Sequence, residues 1–126
     1  VQAFENLQIL PLFYSCLFMT VVWKTLKVLE IRETGLYIGL GFVALHPATI
    51  IMAGSVNNDM LTILFMSLTI LYSLMWIRNK ELKGLIKLSL VIGFGMITKL
   101  NSAVLAIPLG IIFLMHFISV LKQKDK

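Results

Sequence analysis

Long apolar runs separated by short polar junctions constrain this chain more than any other feature. A helix needs about 20 apolar residues to cross the hydrocarbon core of a bilayer. The five runs therefore predict five membrane spans, at residues 7–23, 35–54, 60–77, 84–98 and 103–121. The fourth run is the shortest and contains Lys87, whose ammonium group can snorkel to the interface. The predicted fold class is an all-α polytopic transmembrane bundle, as a fragment of a larger membrane domain.

The composition excludes a soluble domain and a nucleic-acid-binding protein. Of the 126 residues, 59% are hydrophobic and 13% are charged, whereas soluble domains carry about 25% charged residues. A chain this short cannot bury so much apolar surface in a water-soluble core. The net charge of +5 comes from basic clusters between the apolar runs, which is the usual pattern of membrane topology. The single cysteine, Cys16, excludes an intrachain disulfide.

The basic residues mark one side of the predicted bundle. If the spans alternate in direction, ten of the 11 lysines and arginines fall on the same side. The positive-inside rule makes that side cytoplasmic, and Trp23 and Trp76 lie at the same ends of their spans, as interfacial anchors do. The prediction places the loops that contain Asp59 and Lys99 outside, and the C-terminus in the cytoplasm.

Asn57, Asn58 and Asp59 form a polar stretch between two apolar runs. One interpretation is capping, because Asn and Asp are favoured N-caps and a carboxylate suits the positive end of a helix dipole. Three polar residues exceed the needs of one cap, however, and ionisable groups in membrane segments are functional candidates. Lys99 likewise either complements the C-terminal end of its helix or binds a phosphate. Both interpretations stay open for Asp59 and Lys99.

The dipeptide His46-Pro47 interrupts the second run near its outer end. Pro47 predicts a kink whose freed carbonyl is satisfied by neighbours. His46 is expected to be a buried hydrogen-bonding residue rather than a metal ligand, because no second ligand follows at i+3 or i+4. Glycines in the second and fourth runs predict close helix packing, and these are Gly35, Gly39, Gly93 and Gly95.

Two segments resemble a known family. These are LHPATIIMAGSVNNDMLTILFMSLTILYSL and VIGFGMITKLNSAVLAIPLGIIFL. They resemble polytopic GT-C glycosyltransferases, above all the bacterial relatives of the dolichyl-phosphate-mannose protein mannosyltransferases of glycosyltransferase family 39. The likeness extends from the first run to the fifth, although the glycine spacing before Thr98-Lys99 is looser than in the family.

The resemblance implies a membrane enzyme that moves a sugar from a polyprenyl-phosphate carrier to a protein, lipid or glycan acceptor on the outer or lumenal face. It matches Asp59 with an acidic position that orients the acceptor, assists the base or ligates a metal. Asn57 and Asn58 join Asp59 as candidate catalytic residues. A divalent cation, Mg²⁺ or Mn²⁺, stays open as a cofactor. A bacterial plasma membrane is the expected location.

The resemblance also matches Lys99 with a lysine that contacts the carrier phosphate, and His46 and Asn101 join it as candidate substrate-binding residues. The family's principal acid lies in an outer loop that would precede Val1, so this segment is expected to be inactive alone. Two alternatives remain: a transporter or channel segment, and a non-catalytic membrane scaffold. Ion pathways usually place ionisable groups near the middle of the membrane, which favours the transferase over the transporter.

Overall fold

The computed structural model describes residues 2–124 of the chain, and the side-chain surroundings of residues 7–118 and 120. Within residues 2–124 the structure consists of helices and short turns, without a strand. The helices are α1 (Gln2–Val28), α2 (Glu33–Leu45), α3 (Pro47–Gly54), α4 (Asp59–Asn79), α5 (Leu82–Thr98), a 3-10 helix (Leu100–Leu105) and α6 (Ala106–Lys124). The all-α bundle predicted from the sequence is confirmed.

Helix α4 is the centre of the bundle and packs most extensively against α5 and α1. Met60, the first apolar residue of α4, is 0% exposed, and it joins a core cluster with Leu64 and Leu71 of the same helix. Phe18 and Val21 of α1 complete this cluster. Many other large apolar side chains point outward, as expected where hydrocarbon rather than water surrounds the helices.

Neighbouring helices run in opposite directions along α4. Gly84 at the start of α5 lies against Trp76 near the end of α4, whereas Gly95 near the end of α5 lies against Phe65 in the first half of α4. Helix α6 then runs parallel to α4, since Ser102, just before it, lies against Gly95 near the end of α5, and Phe113, further along, lies 6.0 Å from the Trp76 ring near the end of α4. One end of the bundle therefore holds Asp59 and Lys99, and is called the Asp59 end below.

The opposite end of the bundle collects basic residues around the α1–α2 and α4–α5 junctions. An ion pair of 3.0 Å between Arg78 Nη1 and Glu30 Oε1 ties the turn after α1 to the end of α4. This end is called the basic end, and its cations are Lys24, Lys27, Arg32, Arg78, Lys80 and Lys83. The clustering predicted from the charge pattern is thus present around these two turns.

Three helices in the described part of the chain are long and apolar enough to span a membrane: Leu7–Val28, Asp59–Asn79 and Leu100–Ile118. The pair Glu33–Leu45 and Pro47–Gly54, bent by 54°, makes a fourth if it counts as one broken span. The sequence predicts about five. The difference is α5, whose 17 residues extend only about 25 Å at 1.5 Å per residue, less than the thickness of a typical hydrocarbon core.

The second predicted span is broken rather than kinked. Proline lacks an amide hydrogen and disfavours helical backbone in the residue before it, and His46 is accordingly extended, with φ −63° and ψ 127°. The Ala48 backbone N–H donates to His46 Nδ1 over 3.3 Å. The predicted hydrogen-bonding role of His46 is confirmed, but its predicted burial is wrong, because the break leaves the imidazole exposed while it caps α3.

The glycines differ in how closely they pack. A Cβ atom on Gly39 would lie 3.2 Å from Leu26 Cδ1 of α1, and one on Gly95 would lie 3.3 Å from Phe65 Cβ and 3.4 Å from Ser102 Cβ. Gly93 would have no such neighbour within 4 Å. Close packing is therefore confirmed for Gly39 and Gly95 and is wrong for Gly93, which lies on an open face of α5.

Candidate functional site at the Asp59 end

An ion pair joins two residues that are forty positions apart in the sequence. Lys99 Nζ lies 2.5 Å from Asp59 Oδ1. Asp59 begins α4 and Lys99 directly follows α5, so the antiparallel packing of these helices brings the two side chains together. The Lys99 side chain is 46% exposed and that of Asp59 is 32% exposed. Both groups are thus accessible while they hold each other in place.

Asn57 orients the Asp59 carboxylate. Its Nδ2 donates to Asp59 Oδ2 over 2.9 Å, and its Oδ1 accepts a hydrogen bond from the Asp59 backbone N–H over 3.1 Å. The capping function proposed for this stretch therefore belongs to the Asn57 side chain. The Asp59 carboxylate has one oxygen bonded to Asn57 and the other to Lys99, so it serves the contact between helices rather than a cap of its own helix.

The backbone around Lys99 directs its side chain across the bundle. The Lys99 N–H closes α5 with a hydrogen bond of 3.0 Å to the Gly95 carbonyl, and the residue then turns extended, with φ −159° and ψ 127°. Its carbonyl accepts from the Ser102 N–H of the 3-10 helix, also over 3.0 Å. Because the chain leaves the helical direction here, the ammonium reaches Asp59 on α4 instead of the last carbonyls of α5.

Asn58 is adjacent to the ion pair but has a different environment. Its carbonyl accepts hydrogen bonds from the N–H and the hydroxyl of Thr62, over 3.0 and 2.9 Å. Its side chain lines a cavity of about 210 Å³ between the α3–α4 loop and the first half of α1, together with residues such as Leu10, Pro11 and Tyr14. This cavity has an apolar wall from α1 and an amide rim from Asn57 and Asn58.

Two predicted substrate-binding residues do not join the pair. The imidazole of His46 accepts a hydrogen bond from the Ala48 N–H at the start of α3, and it makes no hydrogen bond to Asp59 or Lys99 in the described structure. Asn101 lies two residues beyond Lys99 on the 3-10 helix, where it is exposed. The structure therefore brings Asn57, Asp59 and Lys99 together and leaves His46 elsewhere.

Ser102 is a residue that the sequence analysis did not single out. It is 6% exposed and packs against Gly95. Its hydroxyl is the buried side-chain group without a hydrogen-bond partner in the part of the chain that the structure describes. The sequence signal for it was a small polar residue three positions after Lys99, but only the turn into the 3-10 helix places it against Gly95 at the end of α5.

The residues around Asp59 supply few ligands for a metal ion. No group of three or more His, Cys, Asp or Glu side chains within the described residues could hold one. Mg²⁺ and related hard cations are bound through several oxygen ligands, whereas Asp59 contributes one carboxylate that is already bonded to Lys99 and Asn57. The divalent cation therefore stays a prediction, and no chemical step below depends on it.

Apolar helices with lipid-facing side chains, joined at one end by an accessible ion pair, define an integral membrane protein with a polar site at its surface. The sequence profile of the dolichyl-phosphate-mannose-protein mannosyltransferase family matches residues 4–124, so the chain belongs to this family. The family predicted from the sequence is thereby confirmed, and the chain is a segment of a membrane glycosyltransferase. No curated protein and no solved structure matches it significantly.

Proposed function

We propose that the protein transfers a sugar from a polyprenyl-phosphate carrier to a protein, lipid or glycan acceptor, with the Asp59–Lys99 pair at the substrate site. The observation that carries this proposal is the ion pair itself, which joins the two motif residues of the family resemblance across forty positions. The family match over residues 4–124 supports the reaction class. The identity of the carrier and of the acceptor is the most specific part of the proposal.

Lys99 serves in this proposal as the binding group for the carrier phosphate. An ammonium group has three donors and no acceptor, and charge-assisted bonds to phosphate are strong. In the unliganded protein Asp59 occupies this ammonium. The incoming phosphate therefore replaces the carboxylate at Lys99, and Asp59 Oδ1 becomes available to accept a hydrogen bond from the acceptor.

The transfer step follows from these positions. The acceptor oxygen or nitrogen forms a bond to the anomeric carbon, and the bond from that carbon to the phosphate oxygen breaks with its electron pair on the phosphate. Lys99 offsets the charge that develops on the departing phosphate, which is where preorganised cations contribute most to catalysis. Asp59, held by Asn57, orients the acceptor, whose proton leaves to a base. The resemblance implies that a carboxylate of a further outer loop is this base.

Membrane orientation is the second part of the proposal. The cations of the basic end support a cytoplasmic location for that end, and hence an outer or lumenal location for the Asp59 end. A bacterial plasma membrane is proposed on the resemblance to bacterial relatives. The transport alternative would place ionisable groups near mid-membrane, whereas Asp59 and Lys99 lie at helix ends.

Donor titration tests the proposed function most directly. We expect Lys99→Gln, in the protein expressed from its complete gene, to raise the KM for the lipid-phosphate donor by about tenfold or more, the loss typical of one charged hydrogen bond. Lys83→Gln removes the same charge at the opposite end and should leave the KM unchanged. An unaltered donor dependence in Lys99→Gln would remove this residue from the site.

Cysteine labelling tests the orientation separately. In a Cys16→Ser background, Asn101→Cys and Lys83→Cys each introduce one thiol at an exposed position, at the Asp59 end and the basic end respectively. A membrane-impermeant maleimide added to intact cells should label the first and not the second. The reverse labelling pattern would invert the proposed topology.

A further inference from the structure

An apolar groove lies between α5 and α6, beginning at Trp76 near the basic end. Its volume is about 310 Å³. It is open on one side and lined mainly by aliphatic and aromatic side chains, among them Leu85, Leu88, Ile92, Leu109, Ile112 and Phe113. A groove of this composition, in a helix bundle that faces lipid, fits a hydrocarbon chain rather than a polar ligand.

Trp76 closes the groove at its basic end and carries two polar neighbours. Lys80 Nζ lies 4.7 Å from the centre of the indole ring. The His116 ring of α6 packs edge-on against the same indole, with the two ring centres 5.5 Å apart. Lys80 itself is exposed and occupies the left-handed turn between α4 and α5, with φ 54°. At this mouth of the groove, an ammonium group and an imidazole thus each contact the indole of Trp76.

The charge around this mouth favours an anion. The six cations of the basic end outnumber the acids that lie beside them in the sequence, which are Glu30, Glu33 and Glu81. One of these acids, Glu30, is paired with Arg78. Anionic lipid headgroups are attracted to basic residues at a membrane surface. A second lysine, Lys27, also lies over a tryptophan, 4.1 Å from the centre of the Trp23 ring, but Trp23 lines none of the described grooves.

We propose that the basic end binds one anionic phospholipid, with an acyl chain in the groove between α5 and α6 and the headgroup phosphate at Lys80 and His116. The phosphate oxygens accept hydrogen bonds from the ammonium and from an imidazole N–H. Trp76 separates the two parts of the lipid, as aromatic residues do at membrane interfaces. This site lies at the opposite end of the bundle from Asp59 and Lys99, and it is independent of the proposed transfer reaction.

Native mass spectrometry of the protein in a neutral detergent tests the site. The probe is an equimolar mixture of dioleoyl phosphatidylglycerol and dioleoyl phosphatidylcholine, which share acyl chains and differ in net charge. We expect preferential retention of one phosphatidylglycerol. Lys80→Gln should reduce the preference about fivefold, the contribution of one lysine near an anionic headgroup. Equal retention of both lipids by the wild-type protein, or retention of neither, would overturn the proposal.

Lys83→Gln is the matched control for the charge. It removes a cation from the same end, but it lies two residues before Leu85 and therefore about 160° around α5 from this groove-lining residue. The lipid preference should be unchanged in Lys83→Gln. An equal loss in the Lys80 and Lys83 variants would mean that only the overall charge matters, and would contradict a site at Lys80.

Gly110→Leu tests the groove. Gly110 lines it, and a Cβ atom there would have no neighbour within 4 Å, so we expect a leucine to be tolerated and to take up space at the groove. We expect loss of phosphatidylglycerol retention. Gly93→Leu adds the same side chain at another open helical glycine that does not line the groove, and retention should persist. Unchanged retention in Gly110→Leu would exclude the groove as the binding site of the acyl chain.

Discussion

Two ion pairs join helices at opposite ends of the bundle, and their surroundings differ. Asp59 and Lys99 are 32% and 46% exposed, whereas Glu30 and Arg78 are 76% and 50% exposed. Asp59 also receives a hydrogen bond from Asn57 that fixes its second oxygen. The carboxylate of Asp59 is thus held in a fixed geometry, whereas the carboxylate of Glu30 is largely solvated.

The chemical neighbours of the two pairs explain what each can do. The polar side chains beside Asp59 are the amides of Asn57, which is hydrogen-bonded to it, and of the adjacent Asn58. Arg78 and Glu30 lie among several other charged side chains, which offer exchangeable partners and reduce the value of any one contact. The pair at the Asp59 end therefore has the more fixed geometry of the two, in agreement with the proposed substrate site, whereas the pair at the basic end is one contact among several charged groups.

The largest expected effect is the loss of transfer on removing the Asp59 carboxylate. Asp59→Ala should lower the transfer rate about 100-fold, because a prearranged polar group at the reacting centre contributes about that factor. The amount of protein in the membrane should change less than twofold, as measured by immunoblot beside the transfer assay. Glu30→Ala, which breaks the other pair, should leave transfer intact. Parallel losses of activity and protein in Asp59→Ala would instead identify a structural role.

The next effect concerns the close packing that positions Lys99. Gly95→Leu should lower the free energy of unfolding by about 1–3 kcal/mol, as overpacking of a tight contact does, because a Cβ at this position already meets Phe65 and Ser102. Gly93→Leu, on the open face of α5, should have little effect. Thermal melting in detergent measures both. If the two variants melt alike, α4 and α5 do not approach as closely at Gly95 as described.

A smaller effect is expected from the residue that orients Asp59. Asn57→Ala removes both of its hydrogen bonds to Asp59 and should lower transfer about tenfold, a cost of the order expected for a charge-assisted hydrogen bond. The matched control is the neighbouring amide in Asn58→Ala, since the Asn58 side chain makes no capping hydrogen bond. Should the two alanine variants transfer sugar equally well, Asn57 does not orient the carboxylate.

The smallest effect is the difference in coupling energy between the two ion pairs. A double-mutant cycle over Asp59 and Lys99 should give about 1 kcal/mol, the upper end of the range for partly exposed pairs, and one over Glu30 and Arg78 should give less than about 0.5 kcal/mol. Urea or thermal unfolding of the single and double alanine variants measures these terms. Equal coupling energies for the two ion pairs would contradict the difference described between the two ends of the bundle.

Local chemistry accounts for the elements that were predicted well. The runs at residues 60–77 and 84–98 predict helices, and the helices are Asp59–Asn79 and Leu82–Thr98, of which the first is also long enough to span a membrane. In a membrane, a long apolar run must form its backbone hydrogen bonds within itself, because the lipid offers no partners. A run long enough to cross the bilayer is therefore predicted to be a helix. The Asn and Asp residues before α4 and the His46-Pro47 dipeptide marked helix ends for equally local reasons.

Local chemistry did not predict the helix boundaries that depend on packing. Residues 103–121 were predicted as one span, but Leu100–Leu105 form a 3-10 helix before α6 begins. Ser102 packs against Gly95 in this segment, so the tighter turn is associated with a contact between elements. Gly93 and Gly95 lie two residues apart in one helix, and their spacing does not show which of them packs closely against a neighbour, because that also depends on contacts between elements.

The sequence by itself determined that this protein is a helical membrane bundle with charges sorted to one end, because apolar run length and charge clustering are properties of the chain read in order. It also placed Asp59 and Lys99 on the same side. Only the tertiary structure decided that they touch, that Asn57 holds the carboxylate, and that His46 stays apart. Those outcomes depend on the direction of the chain at Lys99 and on how closely α5 approaches α4 at Gly95, and the second is set by a contact with Phe65, thirty residues away in the sequence.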